Sequence, residues 1–167
     1  METFLQTQEV TIRLGFFVGI FVVMALWEVL APRRALRVGK AIRWVNNLGL
    51  VALNALLLRL LFPAAAVGMA VFAAQQGWGV LNYVELPFWF AVLIAVIALD
   101  FVIWLQHVMV HAIPVLWRLH RVHHADPDYD LTTGARFHPI EIILSMLIKF
   151  ATIAVLGPPV VAVIIFE

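Results

Sequence analysis

Long apolar runs separated by short polar segments dominate the chain. Four of these runs are long enough for a helix to cross the hydrocarbon core of a bilayer, which takes about 20 residues. They lie near residues 11–31, 48–73, 86–113 and 141–166. Because unpaired backbone groups are costly in lipid, each run is predicted to be helical. The pattern predicts an all-α integral membrane bundle of about four transmembrane helices, built as one domain over residues 1–167.

The amino-acid composition is also typical of an integral membrane protein. Hydrophobic residues make up 64% of the chain and charged residues 13%, whereas a soluble domain is about half apolar and about a quarter charged. The formal net charge of +1 gives no reason to expect nucleic acid as a partner. The sequence has no cysteine, which excludes disulfides, thiolate-bound iron–sulfur clusters and cysteine zinc sites. Any bound metal must therefore use nitrogen and oxygen ligands.

The two ends of the chain differ in character. The first apolar run is too long for a cleaved signal peptide and has no small-residue cleavage site before "APRRA", so we expect it to remain as an anchor. The last run ends as "GPPVVAVIIFE" without a polar tail, as though the chain were cut short. Pro158 and Pro159 are predicted to bend this fourth span.

Basic residues indicate the orientation in the membrane. The linker after the first run contains no acid and five basic residues: Arg33, Arg34, Arg37, Lys40 and Arg43. The linker "AQQGWGVLNYVE" has no Lys or Arg. The positive-inside rule therefore places the first linker in the cytoplasm of a bacterial inner membrane or an ER membrane, and alternation places residues 114–140 there too. Arg118, Arg121 and Arg136 in that region agree, and we interpret them mainly as topology signals.

All six histidines fall between His107 and His138. His107 and His111 are four residues apart, so on a helix their rings project from one face about 6 Å apart along the axis. The group at residues 120, 123 and 124 repeats this spacing. A lone membrane histidine is usually a hydrogen-bonded core residue, but two groups at helical spacing favour metal ligation. Neutral imidazole suits iron, zinc and copper, and five rings exceed the needs of one tetrahedral zinc, which favours two ions.

Three segments carry a family resemblance: "HVMVH", "HRVHH" and "GARFHPIE". They resemble the fatty acid hydroxylase and sterol desaturase superfamily of membrane oxygenases, which is marked by HxxxH, HxxHH and a second HxxHH and holds a non-haem di-iron centre. The similar region covers residues 90–167 approximately and is strongest between Asp100 and Glu141. By position, His107 and His111 form the first box, and the second consists of His120, His123 and His124. The resemblance implies iron as cofactor and O2 as co-substrate, with zinc as a substitute in purified protein.

Two departures from the family pattern stand out. Members commonly have Arg after the first histidine of the first box, where this chain has Val108. The third box, which the family places beyond the fourth span, is absent from the 167 residues. Five family ligands are present where eight are expected, so this sequence indicates either a fragment or a protein that has lost activity.

The resemblance implies a membrane mono-oxygenase that hydroxylates or desaturates an aliphatic C–H bond of a fatty acid or sterol-like lipid. Such a reaction needs electrons, and the sequence has no flavin, nicotinamide or haem motif, so a separate donor is implied, a b-type cytochrome or a ferredoxin with its reductase. The alternative is a non-catalytic or truncated histidine-rich membrane protein that binds zinc or iron.

Two residues near the boxes each allow more than one interpretation. His138 opens "HPIE" and is either the residue that starts a helix, as Pro139 and Glu141 favour, or an additional metal ligand or a hydrogen-bond donor to a ligand. Asp100 lies seven residues before His107, and a carboxylate in an apolar run is costly unless paired. Its roles are to orient a ligand imidazole or to pair with Lys149 at a similar depth, and the two are compatible.

Three alternating aspartates, Asp126, Asp128 and Asp130, start like a calcium loop. Leu131 stands where such a loop needs glycine and Phe137 where it needs glutamate, so we interpret them as a solvated turn. Trp104 and Trp117 are predicted to be interfacial anchors.

Overall fold

A computed structural model describes the backbone of residues 2–167 and the side chains of residue 8 and residues 10–167. The described part is 77% helical and contains no strand. The helices are α1 (Glu2–Leu30), α2 (Lys40–Leu61), α3 (Ala65–Gln75), α4 (Phe88–Ala112), α5 (Pro114–His124), α6 (Pro139–Leu156) and α7 (Val160–Phe166), with short 3-10 turns at Val80–Asn82 and Thr133–Ala135.

Four helical segments are long and apolar enough to cross a membrane: Val10–Leu30, Lys40–Gln75, Phe88–Ala112 and Pro139–Leu156. The predicted all-α membrane bundle is confirmed. The second span begins at Lys40, eight residues before the predicted start, because its polar first turns pack against polar groups of a later loop. It is also broken after Leu61, since Pro63 has no backbone N–H to continue the helix.

The predicted bend in the fourth span is confirmed. Helix α6 ends at Gly157, which has a left-handed φ of 63°, and α7 begins after Pro159. A Cβ atom at Gly157 would lie 2.3 Å from the carbonyl oxygen of Trp78. A Cβ atom at Gly79 would lie 2.0 Å from the nitrogen of Gly157. Glycine at both positions therefore lets the end of α6 pack directly against the linker before α4.

Small side chains bring the helices close together. Ala66, Ala70 and Ala73 of α3 are buried against Leu99 of α4 and Ile153 of α6. Close backbone approach through small residues is the usual way in which helices pack in a bilayer. Large apolar side chains cover the outside, as on α1, where Phe16 and Trp27 are exposed and available to lipid.

Two polar regions meet at one end of the bundle, which we call the histidine end. Helices α1 and α4 end there, and α2 and α6 begin there. The carboxylate of Asp128 accepts hydrogen bonds at 2.8 Å from the backbone N–H groups of Arg37 and Val38. The linker after α1 and the segment after α5 therefore share one end, as alternation of the spans predicted. The side of the membrane that this end faces stays a prediction.

The interpretation of the three aspartates as a solvated turn is wrong. Arg43 of α2 donates to the Asp126 carboxylate at 2.6 and 2.8 Å, and its Nη1 lies 2.9 Å from Oδ2 of Asp130. The side chains of Asp126 and Asp128 have no exposed area. Arg43 is 4% exposed, so it is a buried counter-ion as well as a topology signal. We call this group the aspartate–arginine cluster: Arg43, Asn47, Asp126, Asp128, Asp130, Thr132 and Thr133.

Asp126 is the centre of this cluster. Burial opposes its ionisation, but hydrogen bonds from Arg43, Asn47 and Thr133 outweigh burial and lower the pKa of Asp126 to about 2. Asn47 Nδ2 lies 2.9 Å and Thr133 Oγ1 2.7 Å from Oδ2 of Asp126. Because Asp126 follows His124 by two residues, the cluster ties the end of α5 to the start of α2.

Candidate metal centre

A one-residue connection folds α5 back against the end of α4. Helix α4 ends at Ala112, and α5 begins at Pro114 after Ile113. Proline at the first helical position needs no hydrogen-bond acceptor for its nitrogen and has the φ that a helix requires. The connection ends α4 one residue after His111 and turns the histidine face of α5 towards it.

Three rings form the middle of the resulting cluster. The ring centroids of His107 and His111 are 4.9 Å apart, and His120 lies 4.8 Å from the first and 4.7 Å from the second. One ligand atom from each of the three residues lies within 4.8 Å of the others. Two boxes separated along the chain therefore meet at one place.

The remaining two rings of the second box border this triangle. His124 lies 5.0 Å from His120 and 4.9 Å from His111, between ring centroids. His123 lies 5.3 Å from His120 and stacks on Phe137 at 4.7 Å with an angle of 4° between the planes. The Nδ1 atom of His123 is buried and forms no hydrogen bond with the described residues. All five box histidines thus converge, and we call them the histidine cluster.

His120 is held in a defined orientation. Its side chain is fully buried, and Nδ1 lies 2.6 Å from Oε1 of Glu141 at the start of α6. Burial, followed by the nearby rings of His111 and His124, lowers the pKa of His120 to about 4. The ring is therefore neutral near pH 7, with Nδ1 donating to Glu141 and the lone pair on Nε2 left available. This Nε2 lies 3.3 Å from Nε2 of His124.

These features fit a transition-metal ion. Two nitrogen atoms bound to one ion at about 2.1 Å lie about 3–4 Å apart, which matches the separation of the two Nε2 atoms. Ligand histidines must be neutral, and burial also lowers the pKa of His123. Metal-binding histidines usually donate their other nitrogen to a carboxylate or carbonyl, as His120 does. Nitrogen donors of this kind suit iron, zinc and copper.

Comparison with known proteins agrees with this geometry. The family model for fatty acid hydroxylase matches residues 92–167, a range that begins in α4 and contains all five rings. The part of this chain that carries the histidine cluster is therefore similar to the fatty acid hydroxylase family. The resemblance carried by the histidine boxes is thereby confirmed.

One curated relative that this chain resembles is an alkylglycerol monooxygenase from Xenopus tropicalis. The two sequences are 30% identical over 122 residues, which cover 70% of this chain and 27% of the relative. The chain thus spans about a quarter of the relative's length. No solved structure matches the chain.

The carboxylate beside the histidine cluster differs from the predicted one. Asp100 is exposed and forms no hydrogen bond or ion pair with the described residues. Lys149, its other proposed partner, pairs with Glu167. Seven residues of helix separate Asp100 from His107 by about 10 Å along the axis, which is too far for contact. Glu141 instead makes the contact with a cluster ring that was predicted for Asp100, although its place in the sequence indicated only a helix-start residue.

His138 lies outside the histidine cluster. It precedes α6 as the capping residue, and its Nδ1 accepts a hydrogen bond from the backbone N–H of Ile140 at 3.1 Å. Within the part of the chain described, its ring contacts none of the five clustered rings. The structure therefore gives His138 the helix-start role.

Trp117 has a further contact that the sequence did not indicate. Its ring centroid lies 5.4 Å from that of His111 and 5.5 Å from that of His124. Trp117 therefore lies against one side of the histidine cluster. Its predicted position at the membrane interface stays a prediction. Trp104 is 58% exposed and stacks only on Phe101 among the described residues, so it takes no part in the cluster.

Proposed function

We propose that this chain contributes the histidine ligands of a membrane-bound non-haem iron oxygenase that hydroxylates or desaturates an aliphatic C–H bond of a lipid. The observation that carries the proposal is the convergence of five histidines from two boxes in a region that matches the fatty acid hydroxylase family model. The relative's name, alkylglycerol monooxygenase, supports oxygen insertion and a lipid substrate. Iron, when bound, would supply the activation of O2 that breaking an aliphatic C–H bond requires.

The ligand set that we propose consists of the five cluster histidines. His107 and His111 extend from α4, and His120, His123 and His124 from α5. A pair of iron ions needs more ligands than these five, so further ligands come from outside the 167 residues or from solvent. Glu141 keeps His120 in one tautomer, and such hydrogen-bonded carboxylates raise the basicity of a ligand imidazole.

The surroundings of the cluster hold its second box in place. Phe137 stacks on His123 and Trp117 lies beside His111 and His124, while the rings of His107, His111 and His124 stay exposed. The aspartate–arginine cluster ties the end of α5 to α2, which limits movement of the second box. These are contributions of the protein, and the oxidation itself belongs to the metal.

The membrane supplies the substrate and sets the position of the donor. The exposed apolar faces of the spans are in contact with lipid, and the histidine cluster lies where α4 ends. We propose that this end faces the cytoplasm and that a separate b-type cytochrome, or a ferredoxin with its reductase, delivers electrons there. Arg118 and Arg121 are exposed on α5 and offer positive charge to an acidic donor.

Metal analysis with lipid analysis tests the proposal. The chain is purified in detergent after growth with iron, and iron and zinc per chain are measured by plasma mass spectrometry. We expect iron to bind and His123→Ala to lower it by at least about half. Lipids extracted from expressing cells, with and without His123→Ala, are compared by mass spectrometry for hydroxylated or desaturated products.

Two results would count against an oxygenase. Zinc as the main metal under iron-rich growth would support the alternative, a metal-binding membrane protein without oxygenase activity. Unchanged metal content and unchanged lipid products in His123→Ala would remove the histidine cluster from the function.

A further inference from the structure

Two residues of opposite charge lie unpaired within the spans. Arg59 is exposed on α2 and Asp100 is exposed on α4, and neither forms a hydrogen bond or an ion pair with the described residues. Every other charged side chain of the four described spans has a partner, in the contacts Arg13–Glu167, Glu28–Lys40, Lys149–Glu167, Arg43–Asp126 and His120–Glu141.

Arg59 and Asp100 lie at a similar depth in the bundle. On α2, Nδ2 of Asn54 lies 2.9 Å from the carbonyl oxygen of Phe137, whose ring stacks on a ring of the histidine cluster. Asn54 therefore marks the level of that cluster on α2, as His107 does on α4. Arg59 follows Asn54 by five residues and Asp100 precedes His107 by seven, so they lie about 8 and about 10 Å further from the histidine end.

This depth is unfavourable for an exposed charge. Asp100 is twelve residues from Phe88 and twelve from Ala112, the two ends of α4, so it lies at the middle of the third span. Charged residues at such positions are costly in lipid, and they normally pair with one another or face the interior of a bundle. Because Arg59 and Asp100 do neither within the described chain, their partners belong to another chain.

The apolar side chains beside the two charges are complementary in size. Ala55, one turn from Arg59 towards the histidine end, is small and exposed. Trp104, one turn from Asp100 towards the same end, is large and 58% exposed. Small residues allow a second helix to approach closely in a bilayer. A helix pair that joins Arg59 to Asp100 therefore also places Trp104 over Ala55.

We propose that the chain associates with a second copy of itself, with Arg59 of each copy paired to Asp100 of the other. Both α2 and α4 pack against α6, so one copy can present both helices to its partner. A two-fold dimer uses the same surface on both copies, and one such interface makes the ion pair twice. The second copy is the partner that the charges favour, because this chain itself carries both members of the pair.

Energy transfer between labelled copies in phosphatidylcholine vesicles tests the proposal. The chain has no cysteine, so Tyr83→Cys, at an 81% exposed position in the linker before α4, supplies one labelling site. Copies labelled with donor and acceptor are reconstituted together, and energy transfer is measured as the ratio of lipid to protein is increased. We expect transfer above that of randomly distributed copies, falling on dilution as a dimer dissociates.

Charge reversal identifies the pair. Asp100→Arg brings two positive groups together at each contact and Arg59→Asp brings two negative groups together, so each variant alone is expected to weaken the dimer at least about tenfold. A mixture of the two variants has opposite charges at both contacts, and transfer from one variant to the other should recover. Glu85→Arg and Arg33→Asp make the same changes at exposed sites outside the spans and should leave the dimer unchanged.

Recovery in the mixture also shows that both variants are folded, and circular dichroism checks the helical content of each. If charge reversal prevents insertion, Asp100→Asn and Arg59→Gln replace the two variants, and each is again expected to weaken the dimer. Random transfer in the unaltered chain would overturn the second copy as partner. Undiminished transfer in the single variants, or a mixture of helical reversal variants that fails to recover, would overturn the pairing of Arg59 with Asp100.

Discussion

Two polar clusters lie side by side at the histidine end, and they differ in what completes them. In the aspartate–arginine cluster, opposite charges meet at 2.6 and 2.9 Å, and Asp128 accepts from backbone N–H groups. In the histidine cluster, groups of one kind meet, with centroids 4.7–5.3 Å apart. Neutral imidazoles gain little from one another, and within the chain described no opposite charge lies against the ring of His123 as Arg43 lies against Asp126.

The difference separates fold from function. Buried polar groups that satisfy one another stabilise a particular packing and need nothing further. Buried polar groups that remain unpaired indicate a partner that comes from outside the chain. In the aspartate–arginine cluster, the buried Nη1 of Arg43 and Oδ1 of Asp128 face opposite charges at 2.9 and 3.4 Å. We therefore interpret that cluster as a structural connection between α2 and α5, and the histidine cluster as the candidate site. Three substitutions test this division, from the largest expected effect to the smallest.

Removing Arg43 should have the largest effect, and it should be on stability. Arg43→Met leaves Asp126 and Asp130 buried without their counter-ion, which costs about 3–5 kcal/mol. The free energy of unfolding is measured by titration with SDS in mixed micelles. Adding Asp126→Asn to this variant should recover part of the loss, because it removes one of the two uncompensated charges.

The matched control is Arg121→Met, which removes an exposed arginine of α5 and should change stability by less than about 0.5 kcal/mol. If Arg43→Met were no worse than Arg121→Met, the aspartate–arginine cluster would not be a stabilising connection, and the contrast between the clusters would fail.

Replacing Glu141 should affect metal binding more than folding. Glu141→Gln keeps the shape of the side chain but removes the charge that orients the His120 imidazole. Loss of such a hydrogen-bonded partner typically weakens metal affinity by 10- to 100-fold. The affinity for iron or zinc is measured by competition with a chelator of known strength, on protein purified in detergent.

Glu85→Gln provides the comparison, since Glu85 is an exposed acid in the linker before α4, at the other end of the bundle. It should leave the metal affinity unchanged. Equal affinity in Glu141→Gln and the unaltered protein would mean that His120 binds no metal through the ring nitrogen opposite Glu141.

The local patterns of the sequence predict one cluster and not the other. Spacings of three and four along a helix place side chains on one face, so His107 with His111, and His120 with His123 and His124, were readable without a structure. Their meeting needed only a short connection between two helices. The helices were likewise predictable, because length and apolarity alone decide what spans a bilayer.

The missed features all depend on partners far away in the chain. Arg43 and Asp126 are 83 positions apart, and three alternating aspartates without a visible partner look like a solvated turn. Glu141 meets His120 across 21 positions, and nothing local ranks it above Asp100. The early start of α2 has the same cause, since Asp126 neutralises Arg43 and accepts a hydrogen bond from Asn47 in the first turns of the helix.

The smallest effect is expected for His138, which belongs to neither cluster. Its ring caps α6 by accepting from the N–H of Ile140, and loss of a capping side chain costs about 1 kcal/mol. His138→Ala should therefore lower the free energy of unfolding by about that amount and leave metal content unchanged, whereas His120→Ala should remove most of the metal. Both quantities are measured on the same preparations, by SDS titration and plasma mass spectrometry. If His138→Ala lowered the metal content as much as His120→Ala, this result would contradict the prediction. His138 would then be a metal ligand and a member of the histidine cluster.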